Sequence, residues 1–293
     1  MGIIYKEILI FLPVFLIFTN GGEHMILECF YHEKGGDKLT NKKHCHENCY
    51  EIIQTLSNDG NFVIKDSLYP IEHGSVFLIN AIDLHYSAPK NLHQYTRNKI
   101  SLNSTTLCAL ADLMGCSSML QSMFIDNSCA VVSLDLNEIE RVDSLFHDIV
   151  TLSQVGDEQN HLGLYANIFQ LLQICFSNHK EKKPKIDNCV SLALTYINDH
   201  ITTDISLDQL SAALFINKSY LCRQFKKATD MTIIEYIKNR RLSIAKKKLQ
   251  FTDLSISDIA LLCGFSNFSH FSNFFKKVEG ITPSQYREKY KNK

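Results

Sequence analysis

A chain of 293 residues exceeds what one hydrophobic core organises comfortably, so two domains are expected. The 30 Lys and Arg nearly balance the 31 Asp and Glu overall, yet residues 178–293 hold 20 basic against 11 acidic side chains (+9), leaving 10 against 20 (−10) for residues 1–177, so only the C-terminal part suits a polyanion. Ten cysteines without a CxxC pair or a regular framework exclude a disulfide scaffold and read as reduced, cytosolic thiols.

At the start, Lys6 precedes an apolar run from Ile8 to Phe18 that has the look of a signal-peptide core but is short of the roughly 20 residues of a membrane span. A polyanion-binding half with free thiols has no evident use outside the cytosol. Gly21, Gly22 and Glu23 can be encoded as GGA GGA GAA, a purine-rich ribosome-binding sequence just ahead of the Met25 codon. Residues 1–24 are therefore expected to be a misassigned start, with a short apolar leader as the alternative; a cytoplasmic protein without a membrane partner is expected.

From Met25 to about Asn103 short β-like runs are separated by turn residues: 51–56, 61–65, 75–80 and 99–102. Asn58-Asp59-Gly60 is a hairpin signal. The spacing suggests a small barrel or a double-sheet roll, open at one end. Within it, His44 and His46 share one face of a strand, and a neighbouring strand can add His85. With Glu51 these form a candidate ligand set for Fe, Mn or Zn. Cys45 alternates away from the two histidines, and Cys45 and Cys49 read as ordinary buried thiols.

Apolar positions then move to helical spacing. Leu136, Ile139, Val142, Leu145, Phe146 and Ile149 form one stripe; Leu164, Ile168, Leu171, Leu172 and Cys175 form another, and a loop over 154–160 makes the pair an αα-hairpin. The charged, Pro-containing run from His179 to Lys185 reads as a linker. Asp187 or Asn188 opens a helix to about His200.

From Ile205 to Tyr290 one helical unit is written twice. Ser206, Leu207 and Leu210 repeat 49 residues later as Ser255, Ile256 and Ile259, whereas Leu221 and Phe225 repeat 50 later as Phe271 and Phe275, so the second copy has one extra turn residue. Ser206 with Gln209, and Ser255 with Asp258, can cap the first helix of each unit. A turn of three or four residues follows, with Gly264 free to take a positive φ. In the next helix the apolar pairs, four apart, pack inward. The outward face carries Lys218, Ser219, Cys222 and Arg223 in the first copy, and Asn267, Phe268, Ser269, Ser272 and Asn273 in the second. These are candidate contacts to double-stranded DNA, with Lys226, Lys227, Lys276 and Lys277 as phosphate contacts. A helix from Thr232 to about Leu249 joins the units, and its basic run, Arg240-Arg241 and Lys246-Lys247-Lys248, reads mostly as a solvated face with one phosphate contact at most.

Residues from about Val190 to Tyr290 resemble the DNA-binding domain of AraC/XylS transcription regulators. The resemblance rests on Ser219, Tyr220, Leu221, Arg223, Phe225 and Lys226, then Tyr236, Arg241 and Ala245, and later Ile259, Ala260, Gly264, Phe265, Phe271, Phe275, Lys276, Lys277, Gly280, Thr282, Pro283, Tyr286 and Arg287. Asp230 stands where that family has Gly, which predicts a small stability cost. The N-terminal stretch is similar to the cupin-like sensor domain of such regulators at His44, His46, Tyr50, Glu51, Gly60, Gly74, Asn80 and His85. The resemblance implies that His44, His46, Tyr50, Glu51 and His85 line a metal-free ligand pocket, that no cofactor is held, and that the helical hairpin packs on the barrel and dimerises.

The expected fold is thus α+β and multidomain: a cupin-like β-barrel with a helical hairpin over 25–177, a linker over 178–187, and an all-α domain over 188–293 with two helix-turn-helix motifs on a linker helix. The expected function is a transcription regulator, an activator responding to a small, sugar-like metabolite. Its expected partners are promoter DNA, that effector, RNA polymerase and a second copy of the chain. A metal-dependent cupin enzyme fused to a DNA-binding domain is the alternative; a constitutive architectural DNA binder is another. An alkylation-repair regulator would need a zinc-type cysteine cluster that the sequence lacks.

Overall fold

Alternation with a period of two puts successive side chains on opposite faces of a strand, and in the first half of the chain it produces two antiparallel sheets. The computed structural model describes residues 25–35, 49–65, 67–80, 83–126, 129–155, 158–178 and 189–291. Its strands are β1 (Ile26–Lys34), β2 (Cys49–Thr55), β3 (Gly60–Ile64), β4 (Ser67–Pro70), β5 (Val76–Asn80), β6 (His85–Pro89), β7 (Thr96–Asn103) and β8 (Cys129–Val132). They form a five-stranded sheet, β1-β7-β2-β5-β8, and a three-stranded sheet, β4-β3-β6. Four strands cover the expected runs. In β1 the alternation is broken by two register shifts against β7 and by His32 at φ 50.

The sheets pack face to face through Ile53, Phe62, Ile64, Phe77 and Ile79, with Phe62 and Phe77 stacked at 4.3 Å. Among the described residues they remain two open sheets and do not close into the expected cupin-like barrel. Asn58-Asp59-Gly60 does not make a hairpin, because β2 pairs with β5 and β7 while β3 pairs with β4 and β6. The turn instead carries the chain from one sheet to the other, with Asp59 at φ 85 and Gly60 at φ 116. A β-carbon on Gly60 would lie 2.5 Å from Pro89 Cα, so the crossing needs glycine.

The outer face of the five-stranded sheet is covered by helices α1 (Ser104–Leu113), α2 (Ser117–Leu120), α3 (Leu136–Val155) and α4 (Glu158–Ser177). The apolar stripes of α3 and α4 are buried against Ile52, Leu78, Ile100 and Leu102, apart from Leu136, which is 81% exposed, and Ile139, which is half-buried. Because the sheet consumes these stripes, a dimer would have to use the outer faces of the hairpin. The loop between the helices is also shorter than expected, since α3 runs to Val155 and α4 starts at Glu158.

The C-terminal part is helical throughout: α5 (Cys189–Asp199), α6 (Leu207–Ala213), α7 (Lys218–Thr229), α8 (Ile233–Phe251), α9 (Ile256–Leu262), α10 (Phe268–Glu279) and α11 (Pro283–Tyr290). One core gathers α5 to α8 and takes in Val63, Leu68, Leu84, Tyr86 and Ala88 from the outer face of the three-stranded sheet. A second core gathers α8 to α11 around Phe271, Phe275 and Tyr286. Among the described residues no helix is long and apolar enough to cross a membrane.

Candidate nucleic-acid interface and sheet interior

Two helix pairs, α6–α7 and α9–α10, are built by the same local devices. Ser206 and Gln209 form a complete capping box on α6, whereas Ser255 caps α9 through the Asp258 amide without the reciprocal bond. The turns span residues 214–217 and 263–267, one residue longer in the second pair, as the repeat spacing requires. Asn217 and Asn267 cap the second helix of each pair. Both of these helices end on a left-handed residue, Asp230 at φ 54 and Gly280 at φ 77, so Asp230 does adopt the geometry that glycine would take. Thr232 with Glu235 and Thr282 with Gln285 then open α8 and α11 with capping boxes.

On α7, Leu221 and Phe225 are buried while Lys218, Ser219 and Arg223 are exposed; Cys222 is half-buried. On α10, Phe271 and Phe275 are buried, with Phe268, Ser269 and Asn273 exposed and Ser272 half-buried. Lys226, Lys227, Lys276 and Lys277 are exposed in the last turns, where they also complement the negative end of each helix dipole. Two sequence-derived contacts are already engaged. The Asn267 carbonyl accepts the His270 amide at 2.8 Å, so this side chain serves as a helix cap, and Lys218 donates to Asp208 at 2.7 Å in an exposed pair of little energetic weight.

The basic run of α8 is not the solvated face its sequence suggests. Arg240 is buried and donates to Asn198; Arg241 donates to the carbonyls of Ile201 and Thr203; Lys246 is fully buried and pairs with Glu279 at 3.0 Å; Lys247 pairs with Asp83 at 2.6 Å. Four cations on one helix thus fasten four different segments.

Between the sheets, Glu51 is the centre of a buried polar group. His85 Nε2 lies 2.9 Å from its carboxylate and Lys99 Nζ 3.1 Å, and Ser101 donates at 3.4 Å. Burial works against the Lys99 charge, but Glu51 and Glu28 outweigh it and hold the ammonium above its usual range. Tyr50, expected beside Glu51, faces the other way: successive strand residues point to opposite sides, and its ring stacks on Phe124 at 4.4 Å under the helices. His44 and His46 lie outside the described residues. Among those described, no group of three or more His, Cys, Asp or Glu side chains is arranged to hold a metal ion, and the Glu51 carboxylate already has Lys99 as its cationic partner. Lys99 and Ser101 had a readable signal, since they alternate as polar residues in a run otherwise suited to a buried strand.

Residues 210–289 match a family described as a helix-turn-helix domain. Among curated proteins, the chain is 27% identical over 256 residues to the uncharacterised HTH-type transcriptional regulator YdiP of Escherichia coli strain K12, covering 85% of this chain and 82% of that one. It is 25% identical over 251 residues to the HTH-type transcriptional activator RhaR of Salmonella arizonae, covering 84% and 86%. Among solved structures, the C-terminal domain of AraT, a response regulator from Geobacillus stearothermophilus, is 29% identical and aligns with 37% of this chain and 91% of its own, at a TM-score of 0.36. The class is therefore that of helix-turn-helix regulators. Within it, residues 210–289 form a helix-turn-helix domain of the AraC type.

Proposed function

We propose that the chain is a sequence-specific, one-component transcription regulator, with residues 25–177 sensing a small molecule, 178–187 connecting, and 188–293 reading double-stranded promoter DNA. The observation that carries the reading is the repeated presentation of α7 and α10. Each is capped by Asn, buried along one face, polar and exposed along the other, and followed by two exposed lysines. Two helix-turn-helix motifs on the rigid α8 would place these helices in successive major-groove segments about 34 Å apart, so one protomer reads one asymmetric site. RhaR is an activator, which supports activation through RNA polymerase here as well. A homodimer in the cytoplasm would read repeats of the site.

The buried polar group around Glu51 and His85 supports a small polar effector whose donors meet the Glu51 carboxylate. A selection of random duplexes by the full chain tests the DNA reading. It should enrich two short sequence blocks about 10 base pairs apart. A single block would limit reading to one helix pair, and no enrichment would overturn sequence-specific binding.

A further inference from the structure

A continuous polar path leads from the sheet interior to the helix that joins the two reading units. Its inner end is Glu51, 1% exposed on the inward face of β2. His85 on β6 meets that carboxylate through Nε2 at 2.9 Å, while its other ring nitrogen lies 2.8 Å from the main-chain carbonyl of Asp83. A carbonyl only accepts, so Nδ1 carries a proton, and the ring is fixed at both ends. The buried Asp83 carboxylate then stands between Lys65 Nζ at 3.1 Å and Lys247 Nζ, on α8, at 2.6 Å.

Neighbouring contacts make this a junction between the sheets and the helical part. Asn61 donates to the Ala228 carbonyl near the end of α7 at 3.1 Å, and Tyr86, the outward neighbour of His85 on β6, is buried in the core it shares with α5, α7 and α8. The junction leaves Lys218, Ser219 and Arg223 on α7 and Ser269 and Asn273 on α10 exposed, so the docked arrangement does not block reading.

We propose that Glu51, His85, Asp83 and Lys247 form a relay: a small molecule whose hydrogen-bond donors compete for the Glu51 carboxylate shifts His85, and through the Asp83 main chain changes the hold on Lys247 and the set of α8. The relay rests on the reading of residues 25–177 as a sensor. A purely static junction would keep the parts together without transmitting anything from Glu51.

Hydrogen–deuterium exchange of the full chain separates the two. Glu51→Gln and His85→Gln should each change exchange of the amides over 240–251 by about threefold or more, within the coupling expected inside one ion-pair network. In a Lys247→Gln background the same substitutions should leave that exchange unaltered. Equal changes in both backgrounds, or no change in either, overturn the relay. If Glu51→Gln does not fold, His85→Gln and Asp83→Asn carry the same comparison. This measurement needs neither DNA nor ligand, so a duplex selection that enriches nothing would sink the regulator reading and leave the relay standing, whereas background-independent exchange would do the reverse.

Discussion

Arg241 and Gly264 are built against each other: a β-carbon on Gly264 would lie 2.9 Å from Arg241 Cζ and 2.9 Å from the Ile201 carbonyl oxygen. Arg241 donates to that same carbonyl at 2.9 Å and to Thr203 at 2.6 Å, so one guanidinium ties the loop ahead of α6 to the turn ahead of α10. The contact sets one helix pair against the other.

Gly264→Ala should therefore destabilise the protein by about 2 kcal/mol or more, from a methyl at φ 83 plus the clash with Arg241. A urea midpoint unchanged by the substitution would show that the turn can re-form around the methyl.

The equivalent position in the first pair is Phe215, at φ 54 and 96% exposed. A bulky side chain in the left-handed region costs about 1–2 kcal/mol, and glycine there loses about 0.5–1 kcal/mol through greater freedom of the unfolded chain. Phe215→Gly should thus stabilise by roughly 0.5 kcal/mol. A lower denaturation midpoint would mean that the ring is packed rather than solvated.

Lys246 is the one cation in the basic run of α8 whose side chain is fully buried, and Glu279, 3.0 Å away, is its ionic partner. Glu279→Gln should cost about 3 kcal/mol by removing the negative charge that the buried ammonium faces, and adding Lys246→Met should recover much of the loss. Additive losses in the double variant would show that the pair is not the source of the cost.

Alkaline pH should destabilise the second helical core. Burial raises the Cys263 thiol from its ordinary 9.0 to about 11, against the opposing pull of Lys248 and Arg241. The folded state thus holds a proton that the unfolded chain releases. The resulting stabilisation is complete below pH 9.0 and lost as pH rises through about 11, on the order of 2 kcal/mol. Unfolding free energies over that window should fall, and Cys263→Ala should flatten the fall. Cys175 and Tyr31, both pushed up to about 12, extend the loss to higher pH.

Arg223 is exposed on the outward face of α7, which we propose reads DNA, with its guanidinium 5.7 Å from the Tyr220 ring centre. Arg223→Ala should cost about 1–3 kcal/mol on a selected duplex and flatten preference at one base pair. Lys276→Ala should weaken all duplexes alike and reduce the salt slope by about one. Equal losses for Arg223→Ala on selected and scrambled duplexes would assign Arg223 to a phosphate.

The sequence by itself determined the features whose causes lie within a turn or two of the chain. The caps at Ser206 and Thr232, the buried pairs Leu221–Phe225 and Phe271–Phe275, and the left-handed Asp230 all depend on residues at most four positions apart. The duplicated unit was legible for the same reason. Other features were decided by partners far along the chain. Asn58-Asp59-Gly60 crosses between sheets because β2 has β5 and β7 on its two edges, which leaves β3 to pair with β4 and β6. Tyr50 is separated from Glu51 once β2 is placed between helices and sheet interior. The run from Arg240 to Lys247 looked solvated because charge favours water, yet Asn198, Ile201, Thr203, Glu279 and Asp83 supply the acceptors that make its burial tolerable. Helical spacing fixes which residues share a face, but only tertiary packing brings together the oppositely charged and hydrogen-bonding groups that decide whether that face meets water, DNA or the rest of the protein.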